Sequence, residues 1–260
     1  MSRIIFPIFF LFVAIPLLAQ EGNTPMLPGG KWHVHDMARP QPPIVAPGTF
    51  SSPDAAAKPP SDAIVLFDGT DTSQWEAVSG GPCPWQIENG AMVTAKSDIA
   101  SKQKFGDIQL HVEYAEPAPA AGGSQGRGNS GVFLMGLFEV QVLDNYDNPT
   151  YPDGQAGAVY GQTPPMANAC RPPGQWQVYD IGFTAPRLDA KGNVATPAFA
   201  TVFHNGVLVQ NHTPILGPTM HGRLTDYHAV HASEGPVRLQ YHNNAVRFRS
   251  VWVRPLIPPQ

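Results

Sequence analysis

Short apolar runs recur along the chain, and turn-forming residues separate them. Many runs alternate apolar with polar positions, as in "DIQLHVEYA" (107–115) and "FEVQVLD" (138–144). Such alternation is typical of β-strands that bury one face. No segment of ten or more residues shows a convincing helical period. About a dozen short strands with regular turns therefore predict an all-β sandwich or barrel.

Three short polar segments between these runs have the composition of tight turns. They are "ENG" at Glu88–Gly90, "HNG" at His204–Gly206 and "HNN" at His242–Asn244. Asn and Gly tolerate the positive φ angles that two-residue hairpin loops need. We expect a β-hairpin at each of the three.

The N-terminal part of the chain differs in composition from the rest. Residues 1–20 combine Arg3, the apolar run Ile4–Leu18 and a small residue near their end, which is typical of an export signal. The alternative is an uncleaved membrane anchor. Residues 21–62 are Pro-rich and predict an extended arm or linker. Residues 63–257 are long enough for a single sandwich domain with one core. The protein is thus expected to be exported, either periplasmic or secreted.

Charge and cysteine content exclude several function classes. Only 14% of the residues are charged and the formal net charge is −4, so no basic surface for nucleic acid is indicated. Apart from the signal segment, no stretch is long enough to span a membrane. Cys83 and Cys170 could form a disulfide or be separate buried thiols. Neither belongs to a CxxC motif, which argues against a zinc or redox site.

The run 138–144 carries the first candidate site. Alternation places Phe138, Val140 and Val142 on one face. Glu139 and Gln141 then share the other face, whereas Asp144 has the wrong parity unless a bulge intervenes. A retaining glycosidase needs two carboxyl groups about 5–5.5 Å apart, and the amide Gln141 stands where such enzymes carry an acid. An ordinary polar outer face of a sandwich would give the same pattern.

Two later strands add further polar positions. "VRLQYH" predicts a row of Arg238, Gln240 and His242 on one face, and "VRFRSVW" predicts that Arg247, Arg249 and Val251 lie together. His transfers protons near neutral pH, and Arg binds oxyanions through a planar set of donors. Satisfied edge residues and surface ion pairs are the alternative interpretation.

Several motifs together resemble one known family. "LFDGTDTSQW", "GNSGVFL", "FEVQVLD", "GQWQVYDI" and "VRLQYHNNAVRFRS" occur in this order between Ile64 and Leu256. They are similar to the 3-keto-disaccharide hydrolase family, also called the 3-keto-glucoside 1,2-lyase/hydratase family. The resemblance implies a concanavalin A-like jelly-roll sandwich of one domain. It also implies cleavage of 3-keto-glycosides by removal of the C2 proton and elimination at C1, with later hydration.

The resemblance also implies roles for individual residues. Glu139 would be the base or a metal ligand, and His242 its acid/base partner. If the reaction uses a divalent metal, these two residues would hold it; whether it does is left open. The residues expected to bind the sugar are Gln141, Gln240, Arg249, Asn129, Ser130 and Asp144.

Three positions depart from the family's pattern, and they leave substrate class and activity open. Leu137 stands where a basic residue is expected, Tyr241 where an acid is expected, and Ser250 where Asn is usual.

Two other functions remain open at this point. One is a non-catalytic carbohydrate-binding jelly-roll module, which would present aromatic platforms such as Trp85, Tyr160 or Trp176. The other is an ordinary glycoside hydrolase. In each case the partner is a carbohydrate.

Overall fold

The computed structural model describes residues 24–256, and the predicted signal segment 1–20 lies outside them. The described residues form fifteen β-strands and two single-turn 3-10 helices, Ser124–Gly126 and Pro152–Gly154. No α-helix occurs among them, and no helix there is long and apolar enough to cross a membrane. In chain order the strands are β1 (Ile64–Phe67), β2 (Trp75–Ala77), β3 (Gln86–Glu88), β4 (Ala91–Val93), β5 (Ile99–Phe105), β6 (Ile108–Ala115), β7 (Ser130–Leu134), β8 (Phe138–Val142), β9 (Gln177–Thr184), β10 (Arg187–Leu188), β11 (Val194–Thr196), β12 (Phe199–His204), β13 (Val207–Pro214), β14 (Gly235–Leu239) and β15 (Arg247–Pro255).

The strands form two main antiparallel sheets. The larger has the order β13-β12-β9-β6-β15-β4-β3, with β1 also paired to β15, and the smaller has the order β2-β5-β14-β7-β8. Strands β10 and β11 pair separately as a two-stranded ribbon. This is the all-β, sandwich-like, single-domain architecture predicted from the alternation, and it is consistent with a jelly roll.

The apolar positions of the two sheets face each other and form the core. Phe138 of β8 lies with its ring 6.1 Å from that of Phe183 in β9, across the gap between the sheets. Val140 and Val142, which share the face of Phe138, are also buried in this cluster. The alternate side chains of β8 therefore point to the opposite side of the smaller sheet, where the site lies.

Two of the three predicted hairpins are confirmed. Glu88–Gly90 joins β3 to β4, with φ angles of 51° at Asn89 and 74° at Gly90. His204–Gly206 joins β12 to β13, and its Asn205 and Gly206 likewise have positive φ angles. The prediction for His242–Asn244 is wrong, because β14 belongs to the smaller sheet and β15 to the larger one. That turn carries the chain from one sheet to the other.

The expectation that Arg247, Arg249 and Val251 lie together is also wrong. Ser250 has a φ of 44°, and the pairing of β15 with β6 shifts register between Arg249 and Trp252. A bulge of this kind reverses the direction of the side chains that follow it. Val251 consequently lies in the core, while Arg249 remains on the outer face of the larger sheet.

Part of the Pro-rich segment is tied to the sandwich. Residues from Val45 onward belong to the same compact unit as the strands. The fully buried carboxylate of Glu113 in β6 accepts hydrogen bonds from the Ala57 backbone N–H (2.6 Å) and the Ser51 hydroxyl (2.8 Å). Arg249 Nε donates to the same carboxylate at 2.6 Å. This network gives a buried charge the partners it needs.

The described residues 24–44 belong to a separate unit. Met26 and His33 form an antiparallel bridge, and the Leu27 N–H donates to the Trp32 carbonyl at 2.8 Å. Residues 26–33 of this segment thus form a small turn with its own backbone hydrogen bonds.

Cys83 and Cys170 are both free thiols, each of intermediate exposure. Of the two alternatives left open by the sequence, separate thiols describe the structure. Burial raises the pKa of the Cys170 thiol to about 12, so it stays protonated at neutral pH.

Candidate active site

A pocket of about 220 Å3 opens on the outer face of the smaller sheet. Its floor comes from alternate residues of β7, β8 and β14, and its rim comes from the segments that follow β8, β13 and β14. Its lining residues are Asn129, Phe133, Glu139, Gln141, Tyr160, Thr219, His221, Arg238, Gln240 and His242.

The position of Glu139 and Gln141 follows from the alternation of β8. Because the apolar residues of this strand face the core, these two side chains project together into the pocket. Opposite them in β7, Gly131 pairs with Gln141, and Phe133 pairs with Glu139. A Cβ atom on Gly131 would lie 2.3 Å from Glu139 Oε1. Glycine at this position therefore makes the space that the carboxyl group occupies.

Glu139 is a buried carboxyl group with few compensating contacts. Its residue is 5% exposed, and its backbone N–H donates to the Thr219 hydroxyl at 2.9 Å. Burial raises the pKa of Glu139 to about 8, and the nearby Arg238 guanidinium offsets only part of this shift. A carboxyl group that titrates in this range can accept or release a proton near neutral pH.

A chain of amides holds the neighbouring Gln141. Gln125 Nε2 donates to the Gly154 carbonyl at 2.9 Å, which turns the Gln125 oxygen toward Gln141 Nε2, also at 2.9 Å. The Gln141 oxygen then lies 3.2 Å from Glu139 Oε1. Turning this amide over would place its oxygen 2.9 Å from the Gln125 oxygen, but its nitrogen could then donate to Glu139 Oε1 (3.2 Å) and to the Ser130 carbonyl (3.0 Å). In either orientation the Gln141 amide lies beside the Glu139 carboxyl group.

Arg238 supplies a cation whose hydrogen-bonding capacity is incompletely used. Its guanidinium carbon lies 3.6 Å from the centre of the Phe133 ring, and its Nε is buried without a hydrogen-bond acceptor. Asp98 Oδ2 is 3.8 Å from that nitrogen, too far for a hydrogen bond. A buried, unpaired donor is costly for the free protein. It is well placed to bind an oxygen of a ligand in the pocket.

Five of the eight predicted site residues line this pocket. They are Asn129, Glu139, Gln141, Gln240 and His242. Arg238, Gln240 and His242 all line the pocket, as the alternation of the segment "VRLQYH" predicts, although β14 itself ends at Leu239. The structure thus brings together the strand 138–142 and the segment 238–242, although the roles of their residues stay predictions.

The other three predicted site residues have partners elsewhere. The Ser130 hydroxyl donates to the Gln240 carbonyl at 2.7 Å. Asp144 accepts two hydrogen bonds of 2.8 Å from the guanidinium of Arg127. Arg249, which was expected to bind the sugar, lies outside the pocket and pairs with Glu113 on the larger sheet.

Sequence reasoning did not predict His221, and it named Tyr160 only as an aromatic platform of a binding module. Tyr160 follows a backbone bridge between Val159 and Val140, and its N–H donates to the Glu139 carbonyl at 3.1 Å. The Tyr160 hydroxyl lies 2.8 Å from His221 Nδ1. Both residues are in long connecting segments, where no alternation predicts the direction of a side chain. Only the length of segment 145–174 was a signal of function.

Two aromatic residues considered as sugar platforms lie outside the pocket and pack against other side chains. Trp85 is 3% exposed and stacks on Phe248 at 5.7 Å between ring centres. The Trp176 ring lies under the Arg249 guanidinium at 4.1 Å. Tyr160 is the one of the three that reaches the pocket.

The described residues do not build a site for a resident metal ion. In residues 24–256 no group of three or more His, Cys, Asp or Glu side chains is arranged to hold one. Glu139 and His242 share the pocket with the Arg238 cation, which opposes a second positive charge.

Comparison with known proteins identifies the family to which this chain belongs. No curated protein matches the chain. A crystal structure of a "putative glycosyl hydrolase" from Parabacteroides distasonis ATCC 8503 is 44% identical, covers 90% of this chain and 100% of that chain, and has a TM-score of 0.79. Another from the same organism, with the same description, is 18% identical, covers 75% of this chain and 94% of that chain, and shows the fold alone at a TM-score of 0.56.

The family profile of the 3-keto-alpha-glucoside-1,2-lyase-like domain matches residues 62–254. This range is well over half of the chain and contains every residue of the pocket. It confirms the resemblance carried by the sequence motifs, and the protein belongs to the 3-keto-alpha-glucoside-1,2-lyase-like domain family.

Proposed function

We propose that the protein is an exported enzyme that cleaves 3-keto-glycosides by removing the C2 proton and eliminating the oxygen at C1. The observation that carries the proposal is Glu139, a buried carboxyl group with a pKa of about 8 in the wall of a sugar-sized pocket. Membership of the lyase-like family supports it.

The chemistry requires one strong base rather than two carboxylates. A ketone at C3 acidifies the hydrogen on C2, and ionised Glu139 removes it. The electron pair forms an enolate on the C3 oxygen, and its return makes the C1–C2 double bond as the C1–O bond breaks. The departing oxygen takes up a proton from an acid. Addition of water across the double bond reverses both proton transfers and releases the free 3-keto sugar.

Arg238 is the group best placed to stabilise the enolate. Its Nε–H lacks an acceptor among the described residues, and a preorganised donor that meets developing negative charge can lower a barrier by about 3 kcal/mol. Gln240 and His242 line the same side of the pocket and are positioned to bind hydroxyl groups of the sugar.

The pocket disfavours the two alternatives. Glu139 is the only carboxyl group among its described lining residues, whereas a retaining glycosidase needs a second one about 5–5.5 Å away. A binding module needs exposed aromatic platforms in its binding site, whereas Trp85 is buried and Trp176 lies outside the pocket with Arg249 against its ring.

The test is turnover of 3-keto-trehalose and 3-keto-glucosides by the chain 21–260 in D2O, with and without a chelator. We expect free sugar with deuterium at C2, seen by NMR and mass spectrometry. Glu139→Gln should abolish turnover while leaving binding intact. Glu116→Gln is the matched control, because burial also raises the pKa of Glu116 to about 8, but it lies outside the pocket.

Two results would reject the proposal. One is full activity of Glu139→Gln, and the other is binding of the substrates without cleavage under every condition. The second would favour a carbohydrate-binding module.

The export part of the proposal has a separate test. The full chain and a chain lacking residues 1–20 would be expressed and the cell fractions compared. We expect only the full chain to leave the cytoplasm, with a shortened N-terminus by mass spectrometry. Equal distribution of the two chains would reject export.

A further inference from the structure

A second pocket of about 340 Å3 lies next to the first. It shares two wall residues, Tyr160 and His221, with the pocket that contains Glu139. Its other lining residues are Tyr151, Asp153, Gly161, Gly222, Arg223 and Leu224. A ligand with one ring in each pocket would therefore cross Tyr160 and His221 at the bond between its rings.

The hydroxyl group of Tyr160 is held by two neighbours at this boundary. It lies 2.7 Å from the Tyr151 hydroxyl and 2.8 Å from His221 Nδ1. A phenol oxygen has one hydrogen to donate and two lone pairs to accept with. When Tyr151 O–H and His221 Nδ1–H both donate to Tyr160, its own proton is free to bond a third group.

The loop around Tyr151 is adapted to this contact. A Cβ atom on Gly154 would lie 2.0 Å from Tyr151 Cε2, so glycine is needed for the tyrosine ring to rest there. The Gly154 carbonyl accepts the Gln125 amide that also holds Gln141 in the first pocket. The two pockets are therefore parts of one hydrogen-bonded structure.

We propose that the second pocket binds the leaving sugar, and that Tyr160 donates its proton to the glycosidic oxygen as the C1–O bond breaks. This assignment rests on the proposed function and names its substrate class: disaccharides and other 3-keto-glycosides with a hydroxylated leaving group. Asp153 and Arg223 offer hydrogen bonds to the hydroxyl groups of that sugar, and Leu224 offers an apolar contact.

The protons balance in this scheme. Glu139 gains the C2 proton while Tyr160 loses its own to the leaving oxygen, and the hydration step returns both. Burial is the largest cause of a raised pKa at Tyr160, so its phenol is protonated at neutral pH. His242 lines the first pocket, where the 3-keto sugar would bind, and does not line the second.

The dependence on the leaving group provides the test. Tyr160→Phe would be assayed on 3-keto-trehalose, whose leaving alkoxide is a strong base, and on 4-nitrophenyl 3-keto-glucoside, whose leaving phenolate needs no proton. General acid catalysis is worth about 10²–10⁴-fold, so we expect a loss of that size on the disaccharide and less than about tenfold on the nitrophenyl substrate. Tyr146→Phe, an exposed tyrosine outside both pockets, is the matched control.

The binding part has its own measurement. Asp153→Asn should raise KM for 3-keto-trehalose several-fold without changing KM for methyl 3-keto-glucoside, whose leaving methanol is too small to fill the second pocket. Thermal midpoints of all variants would verify that they are folded.

The possible outcomes separate this inference from the proposed function. Equal losses on both substrates, or unchanged activity of Tyr160→Phe on the disaccharide, overturn the role of Tyr160 while cleavage itself stands. Equal changes in KM for Asp153→Asn on both glycosides overturn the second binding pocket. A wild-type chain that cleaves no 3-keto-glycoside overturns the proposed function and this inference together.

Discussion

The space beside Gly131 gives a quantitative prediction about the catalytic geometry. In Gly131→Ala, the new Cβ would lie 2.3 Å from Glu139 Oε1, 3.0 Å from Glu139 Cδ and 2.9 Å from Phe133 Cε2. Ordinary van der Waals contact begins at 3.4 Å, so the carboxyl group must retreat by about 1 Å. Gly131 does not have a positive φ, and the effect is therefore steric rather than a strained backbone.

A displacement of this size should be visible in the kinetics before it unfolds the protein. Misplacing a reacting group by about 1 Å can cost about 10²-fold in rate, whereas overpacking a core costs about 1–3 kcal/mol of stability. We expect kcat/KM on 3-keto-glycosides to fall by about 10²-fold, with a modest decrease in the thermal midpoint.

The matched control for this prediction is Gly182→Ala. Gly182 lies in β9 of the other sheet, and its Cβ would meet nothing nearer than Thr201 Cβ at 3.9 Å. This variant should keep both activity and stability. Wild-type kcat/KM in a folded Gly131→Ala protein would refute the argument that this glycine makes room for the base.

Three further predictions follow from buried charges. As the proposed base, Glu139 would act only when ionised, and its pKa is about 8. We therefore expect kcat/KM on 3-keto-glycosides to rise with pH and to level off above about 8, and initial rates that fall as pH rises would contradict this. Burial also raises the pKa of Glu116 to about 8 from 4.5, so its contribution to the free energy of unfolding is full below pH 4.5 and declines between pH 4.5 and 8. Glu116→Gln should thus raise the thermal midpoint at pH 8 more than at pH 5, and an equal change at both would argue against a buried acid. A chain that begins at Val45 should unfold at the wild-type midpoint. In a chain that begins at residue 63 the free energy of unfolding should fall by roughly 3 kcal/mol, because Glu113 loses two hydrogen bonds. Equal calorimetric midpoints of these two shortened chains would contradict this.

Local alternation was sufficient for the parts of the site that lie within strands. The side-chain period of two separates Glu139 and Gln141 from the core residues of β8, and it also places Arg238 beside Gln240. Alternation cannot say which strands share a sheet. Arg249 fits the same pattern as Arg238, but β15 lies in the larger sheet and β14 in the smaller one. The sequence therefore could not choose between the two arginines.

Two other features depend on tertiary structure that no local pattern carries. The bulge at Ser250 reverses the parity of the last strand. Tyr160 and His221 meet through a hydrogen bond between segments that are 61 residues apart. Loop backbones have no fixed period, so the direction of such side chains follows only from the packed fold.

The burial of Glu139 has two opposing effects on its use as a base. A pKa of about 8 leaves only about one molecule in ten ionised at pH 7. The same shift, from the ordinary value of 4.5, makes the ionised form a stronger base. If the rate rises with about the half power of basicity, proton removal gains roughly 50-fold. The gain exceeds the loss from incomplete ionisation.

The same argument explains why Arg238 does not form a close ion pair with Glu139. A closer ion pair with Glu139 would restore an ordinary pKa and remove this advantage. The guanidinium instead rests on Phe133 with its Nε–H unpaired, so that its strongest hydrogen bond can form with the enolate rather than with the resting carboxylate.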